Sequence, residues 1–154
     1  MRAQRGFSLI ELLIVVAILL ILAAIAIPSF LDSKMRANEA SAVGSMRQIG
    51  TAQSTYCITY PDVGFATNLA SLGPGTPATS ASAGLIDDVL GCAGATCNKS
   101  GYGFTLTTGS GFYSLTSTPI TVGQSGRRSF YGDNSGVIRY NTAGTTATIN
   151  DSPL

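Results

Sequence analysis

From Leu12 to Ile27 every position is Leu, Ile, Val or Ala, after a start that mixes apolar residues with Arg2, Gln4, Arg5, Ser8 and Glu11. Counted from Phe7, this run of roughly twenty residues makes a helix about 30 Å long, the thickness of a hydrocarbon core. The pattern then changes. From Leu31 to about Tyr60, Met35, Ala42, Ile49 and Tyr56 recur every seven residues, with Val43 and Met46 beside them. That is one apolar stripe, with Asp32, Lys34, Arg36, Glu39 and Arg47 mostly around it, and it predicts a half-buried helix packed on a sheet. Gly44 and Gly50 weaken this helix, so tertiary packing must hold it. Pro61 ends it.

Residues 61–100 are poor in regular signals, and 73–84 (GPGTPATSASAG) is a loop by composition. Leu85–Leu90 reads as a short helical turn or strand. From Tyr102 the period becomes two. Tyr102–Leu106 and Phe112–Ser117 alternate around Gly109-Ser110-Gly111, a hairpin signal. Arg128–Tyr131 and Gly136–Tyr140 follow, joined by Gly132-Asp133-Asn134-Ser135, and Thr146–Ile149 is a candidate last strand. The prediction is an antiparallel meander of three to five strands. It buries Phe104, Leu106, Leu115, Phe130 and Ile138 against the helix stripe, giving an α+β fold.

Composition narrows the function classes. The 154 residues suffice for one domain, charged residues make up 11%, and the net charge of +1 gives no electrostatic case for nucleic acid. There is no histidine, which removes the commonest general base and metal ligand. Asp87-Asp88 is a poor acid/base pair, since adjacent side chains point apart. Asp133–Gly136 reads as a turn rather than a calcium loop. Arg127-Arg128 reads as a solvated surface pair. No catalytic residue, metal site or cofactor is expected. The three cysteines allow at most one intramolecular disulfide. Cys92–Cys97 is the favoured pairing, with Cys57 to either of them left open.

Glu11 is the anomaly of the N-terminus. A carboxylate inside an apolar helix costs about 2–3 kcal/mol at mid-membrane and less near the interface, and it calls for a partner. Arg2 and Arg5 precede the run and predict a cytoplasmic N-terminus. An ordinary signal peptide, with Ala24-Ile25-Ala26 as its cleavage site, or a plain anchor accounts for the apolar run but leaves Glu11 unexplained. Cleavage between Gly6 and Phe7 supplies the missing cation, because Phe7 then carries a free α-amino group that Glu11 of a neighbouring chain can meet. A buried pair of this kind sets register more than it adds stability.

The segment Arg5-Gly6-Phe7-Ser8-Leu9-Ile10-Glu11-Leu12 resembles the class III signal of type IV prepilins and pseudopilins. The resemblance covers about the first 55 residues. It implies a pilin fold with a leader at 1–6, a transmembrane and assembly helix at 7–28, and a head at 29–154. It implies cleavage after Gly6, N-methylation of Phe7, assembly through Glu11 and Phe7, and a helix break at Pro28. The implied partners are further copies of the chain, a prepilin peptidase, an inner-membrane platform protein, an assembly ATPase and an outer-membrane secretin. The precursor is expected in the inner membrane with a periplasmic head, and the assembled form in a surface pilus for adhesion, twitching motility or DNA uptake. The alternative is a pseudopilin of a type II secretion system. Major pseudopilins carry an acidic calcium-binding loop near an Asp-Pro-Trp-type motif, and this chain has no Trp.

Overall fold

The computed structural model describes residues 7–154. Helix α1 spans Leu9–Thr59 and runs through Pro28 without interruption. The chain divides into two units, one ending at Lys34 and the other comprising Met35–Leu154.

In the first unit no residue from Leu9 to Lys34 is buried. The mean hydropathy of its apolar window reaches 3.2, so this part of α1 is long and apolar enough to cross a membrane.

In the second unit α1 buries Met35, Glu39, Ala42, Met46, Ile49, Gln53 and Tyr56. These positions advance by alternating steps of four and three, so they stay on one side of a 3.6-residue helix. They meet the inner face of a sheet whose strands follow chain order, each antiparallel to the next. The strands are β1 (Cys97–Lys99), β2 (Tyr102–Gly109), β3 (Phe112–Pro119), β4 (Ser129–Asp133), β5 (Ile138–Asn141) and β6 (Ser152–Pro153). Register places Phe104 opposite Ser117 and Ser117 opposite Phe130, so these three share a face, as do Leu106 and Leu115. Phe104, Leu115 and Phe130 are fully buried in one cluster with Ala42, Met46, Ile49 and Tyr56, and Leu106 and Ile138 pack at its margin. The α+β fold is present, and of the five core residues expected of the strands Phe104, Leu115 and Phe130 are fully buried while Leu106 and Ile138 are partly so.

The details differ from the pattern in four places. The sheet has six strands, because two- and three-residue pieces pair at its edges, and such short pieces carry no periodicity to read. Thr146–Ile149 is not a strand. The Asp151 carboxylate accepts the Thr148 N–H (2.7 Å) and the Asn141 amide (2.9 Å) and folds 148–151 into a turn. Leu85–Leu90 forms no regular helix or strand but ends in one hydrogen-bonded turn, Gly91 N–H to Asp87 O (2.8 Å), while Leu85 and Ile86 donate backbone N–H bonds to Leu72 O (2.9 and 3.1 Å). A single helical turn α2 (Leu69–Leu72) appears instead, with Asn68 Oδ1 accepting the Ser71 N–H. Leu69, Leu72, Ile86 and Leu90 are all buried, so the segment after α1 is anchored to the core along much of its length.

The hairpin turn between β2 and β3 narrows to Ser110-Gly111, and Gly111 takes φ +79°, which that tight reversal requires. At the core itself, Ser117 Oγ is fully buried and has no hydrogen-bond partner among the described residues. Such a hydroxyl carries an uncompensated desolvation cost. Ser117→Ala is therefore expected to raise stability by about 1 kcal/mol, read as a higher urea midpoint with an unchanged slope for the full-length protein in detergent.

Candidate functional site: the N-terminal helix and the buttressed head

The chemistry-bearing groups of the N-terminus lie at the start of α1. Gly6, Arg2 and Arg5 lie outside the described residues. Phe7 precedes the helix and is 79% exposed. Ser8 O accepts the N–H groups of Glu11 (3.1 Å) and Leu12 (3.3 Å), which starts the helix. Glu11 stands in the first turn with its side chain exposed. The Ser8-x-x-Glu11 spacing is that of a capping box, and an acidic residue there also suits the positive end of the helix. Local helix chemistry thus explains why a carboxylate is tolerated at Glu11. It does not explain the apolar surface beyond it. Large aliphatic side chains from Leu12 to Ile27 are between 46% and 72% exposed, and Phe30 is 68% exposed. A surface this apolar must be covered by lipid or by protein.

The head is buttressed by a group that the sequence pattern misplaced. Glu39 does not flank the apolar stripe but occupies one of its buried positions, 6% exposed. Its carboxylate accepts the N–H groups of Arg127 (2.9 Å) and Arg128 (3.2 Å) and the Arg128 Nε–H (2.7 Å). Burial pushes the Glu39 carboxyl up. The Arg127 N–H, the Arg128 guanidinium and the Arg128 N–H together outweigh this and hold it below the ordinary 4.5. Arg128 is likewise no free surface arginine. Its guanidinium carbon lies 5.6 Å from the Phe130 ring centre and 5.5 Å from that of Tyr140, a distance at which rings attract a cation. Tyr102 donates its hydroxyl to Arg128 O (2.8 Å). Burial, followed by the nearby Glu39 charge, drives the Tyr102 phenol far above its ordinary range. Gly126 permits this arrangement, since a Cβ there would fall 2.0 Å from the Tyr102 hydroxyl.

Gln53 plays a neutral version of the same role. It donates to Ala66 O (3.0 Å) and accepts the Ala66 N–H (2.9 Å), so one side chain satisfies a whole peptide unit. The signal for both residues was the four-three stepping of the helix, which counts position and ignores polarity.

Cys92 and Cys97 are joined by a disulfide, and Cys57 is free and half-buried. Asp87 supports the same region. Its carboxylate pairs with Lys99 and accepts the Leu90 N–H (2.8 Å). The hydrogen bond from Lys99, then that from Leu90, hold its carboxyl below the usual range. Asp88 beside it is exposed, so the two carboxylates do not work as a pair. Asp133 accepts the Ser135 N–H (2.8 Å) and its backbone O accepts the Gly136 N–H (3.0 Å), which is a turn.

A family model described as the prokaryotic N-terminal methylation motif matches residues 1–27. The chain carries the prepilin-type methylation motif. Likeness to known proteins covers about a third of the chain in its N-terminal region. The type IV major pilin protein PilA of Myxococcus xanthus is 50% identical over 53 residues, 34% of this chain and 24% of that protein. A fimbrial protein of Pseudomonas aeruginosa is 54% identical over 52 residues, 34% of each chain. The type IV wide pilus major component PilA4 of Thermus thermophilus is 45% identical over 58 residues, 38% of this chain and 44% of that protein. The matched region thus spans from about a quarter to less than half of these relatives' length. No solved structure matches the chain. The prepilin-type motif contains the Gly6-Phe7 junction and Glu11, while the likeness covers only about a third of the chain, so most of the head lies outside it.

Proposed function

We infer that this protein is a structural subunit of a type IV pilus and not an enzyme. The observation that carries the reading is the unburied apolar face of α1 directly behind a Gly-Phe junction, with one carboxylate, Glu11, in its first turn. In this reading residues 1–6 are a leader, 7–28 hold the precursor in the inner membrane, and 29–154 form the head on the far side. A prepilin peptidase cuts after Gly6 and the new Phe7 amine is methylated. The amine remains a cation and pairs with Glu11 of a neighbouring subunit. An assembly ATPase and a platform protein draw the helix from lipid into a bundle, and a secretin passes the filament to the surface. Lipid tails are as apolar as leucine, so helix shape and the charge pair select the packing rather than hydrophobicity. Pro28 lacks a backbone donor and is the turn of α1 most easily loosened in the bundle. The relatives' names, pilins and fimbrial proteins, support a filament subunit, and a secretion pseudopilin is the alternative with the same N-terminal signal.

The test is the N-terminal sequence and mass of the mature protein from cells. An N-methylated Phe7 start is expected. A start at Met1 overturns the reading in favour of a simple anchor, and one at Ile27 in favour of a secreted domain.

A further inference from the structure

The two ends of the head differ in charge. At one end, the base, α1 grips two loops of the sheet: Asn38 Nδ2 donates to Ser125 O (2.9 Å) and Ser41 Oγ to Ser100 Oγ (3.0 Å). The other end, the tip, holds the last turn of α1, the turn at 60–64 and the β2–β3 hairpin. Thr108 Oγ1 donates to Ala66 O (2.9 Å), and the Phe65 and Tyr113 rings meet edge-on at 5.1 Å, which ties these parts of the tip together. From Arg36 at the base to Thr59 at the tip, α1 is about 35 Å long.

The tip is electronegative. The last turn of α1 contains no basic residue, so the negative end of the helix has no cation of its own. Asp62 adds a carboxylate just beyond it. That carboxylate is exposed and has no hydrogen-bond or ion-pair partner among the described residues. An acidic group beside a helix C-terminus is unfavourable, and the isolated head leaves it uncompensated. The base shows the reverse. Arg36 is exposed there and is likewise without a partner among the described residues. Arg47, the next exposed cation along α1, shares a groove with Asp133 of its own head. Asp88 adjoins the Asp87–Lys99 pair on the β1 edge of the sheet. Both ends also expose aliphatic side chains, Ile58 and Val63 at the tip, and Ile120 and Val122 of the β3–β4 loop at the base.

We propose that the tip of one head seats on the base of the next, with Asp62 paired to Arg36 of the neighbouring copy. This rests on the filament reading and names the contact between heads within it. The occupant follows from charge. The tip lacks a cation, and the base of a second copy brings an unpartnered one together with apolar side chains that match those of the tip. The fit is end to end: successive heads are displaced by at least the length of α1 from base to tip, so neither enters the other. Tip and base are different patches, so the contact leaves one of each free and propagates. An exposed ion pair adds little affinity, but like charges in its place repel. The pair therefore selects the register, while the four aliphatic side chains supply the burial.

The experiment is a charge exchange in the full chain in cells. Filament yield in the sheared surface fraction is measured for Asp62→Lys, for Arg36→Glu and for the two together. Each single variant sets like charges against one another at every contact and is expected to lower the yield at least fivefold. The double variant restores opposite charges with their places exchanged and is expected to recover at least half of the unaltered yield. Asp62→Lys also separates assembly from folding, because a lysine beside a helix C-terminus favours the head by itself. Its urea midpoint, for the full-length protein in detergent, is expected to equal or exceed that of the unaltered protein while its filaments are lost. Undiminished filaments from the single variants, or a double variant no better than the poorer single one, overturn the contact and leave the filament reading standing. An unaltered chain that starts at Phe7 and yet forms no filament overturns the filament reading, and the contact with it.

Discussion

Replacing Glu39 by leucine is expected to destabilise the head by about 3 kcal/mol, although leucine fits the apolar stripe by size and character. The cost does not come from a lost ion pair as such. Arg128 is 37% exposed at its side chain, so water screens much of its attraction to Glu39. It comes from the two backbone N–H groups of Arg127 and Arg128, whose acceptor is removed, at about 1–3 kcal/mol each where water cannot replace it. Arg128→Met removes the guanidinium but leaves the carboxylate its two N–H donors, so a loss of about 1 kcal/mol is expected. The double variant should fall short of the sum, because the Nε–carboxylate bond is lost only once. Urea unfolding of the full-length protein in detergent, followed by tyrosine near-ultraviolet circular dichroism, measures all three. A Glu39→Leu midpoint equal to that of the unaltered protein contradicts the account.

The same residue gives the head a defined acid limit. The folded Glu39 carboxyl sits below 4.5, near which an unfolded glutamate titrates. Its contribution is therefore complete above that value and is lost as pH falls through the lower, folded one. Asp87 is displaced in the same direction and adds to the slope. The Glu39→Gln head should show a shallower loss of stability on acidification, because one of the groups that must take up a proton is gone.

How far this structure was legible beforehand depended on the range of the forces involved. The helix stripe followed from single-residue periodicity, and Met35, Ala42, Ile49 and Tyr56 are all buried. Glu39 was set outside it because a carboxylate is seldom buried without partners, and its partners lie 88 and 89 positions away. The central strands showed their period, whereas β1 and β6 exist only through pairing with neighbours. The segment from Pro61 to Thr96 defied reading for a related reason. Its buried Leu69, Leu72, Ile86 and Leu90 are held by turns and scattered backbone bonds that repeat at no interval. The N-terminal motif was legible at once, because it is a contiguous stretch of chain, and it is matched over residues 1–27.

Glu11→Leu should abolish surface filaments, cutting their yield at least tenfold, while leaving the precursor inserted and cut at Gly6. Removing the carboxylate favours the membrane helix by up to about 2–3 kcal/mol, so the variant sits in lipid at least as firmly as before. What it loses is the only acidic side chain on the stretch from Phe7 to Leu31. Without it, only the packing shape of aliphatic side chains distinguishes one register from another, since lipid is as apolar as leucine. In the proposed filament, a carboxylate that must find one amine gives the helices a step, because any other register would leave both charges unpaired in an apolar bundle. Glu11→Gln separates the two roles, since it keeps shape and hydrogen bonding and removes the charge. It should fail nearly as badly as leucine, whereas Glu11→Asp, with its charge withdrawn by one methylene, should retain partial assembly. Counting sheared filaments beside the mass of the membrane-bound protein distinguishes a failure to assemble from a failure to mature. Abundant filaments of unchanged axial repeat from Glu11→Leu would remove the pair from the mechanism and leave side-chain shape alone to set the register.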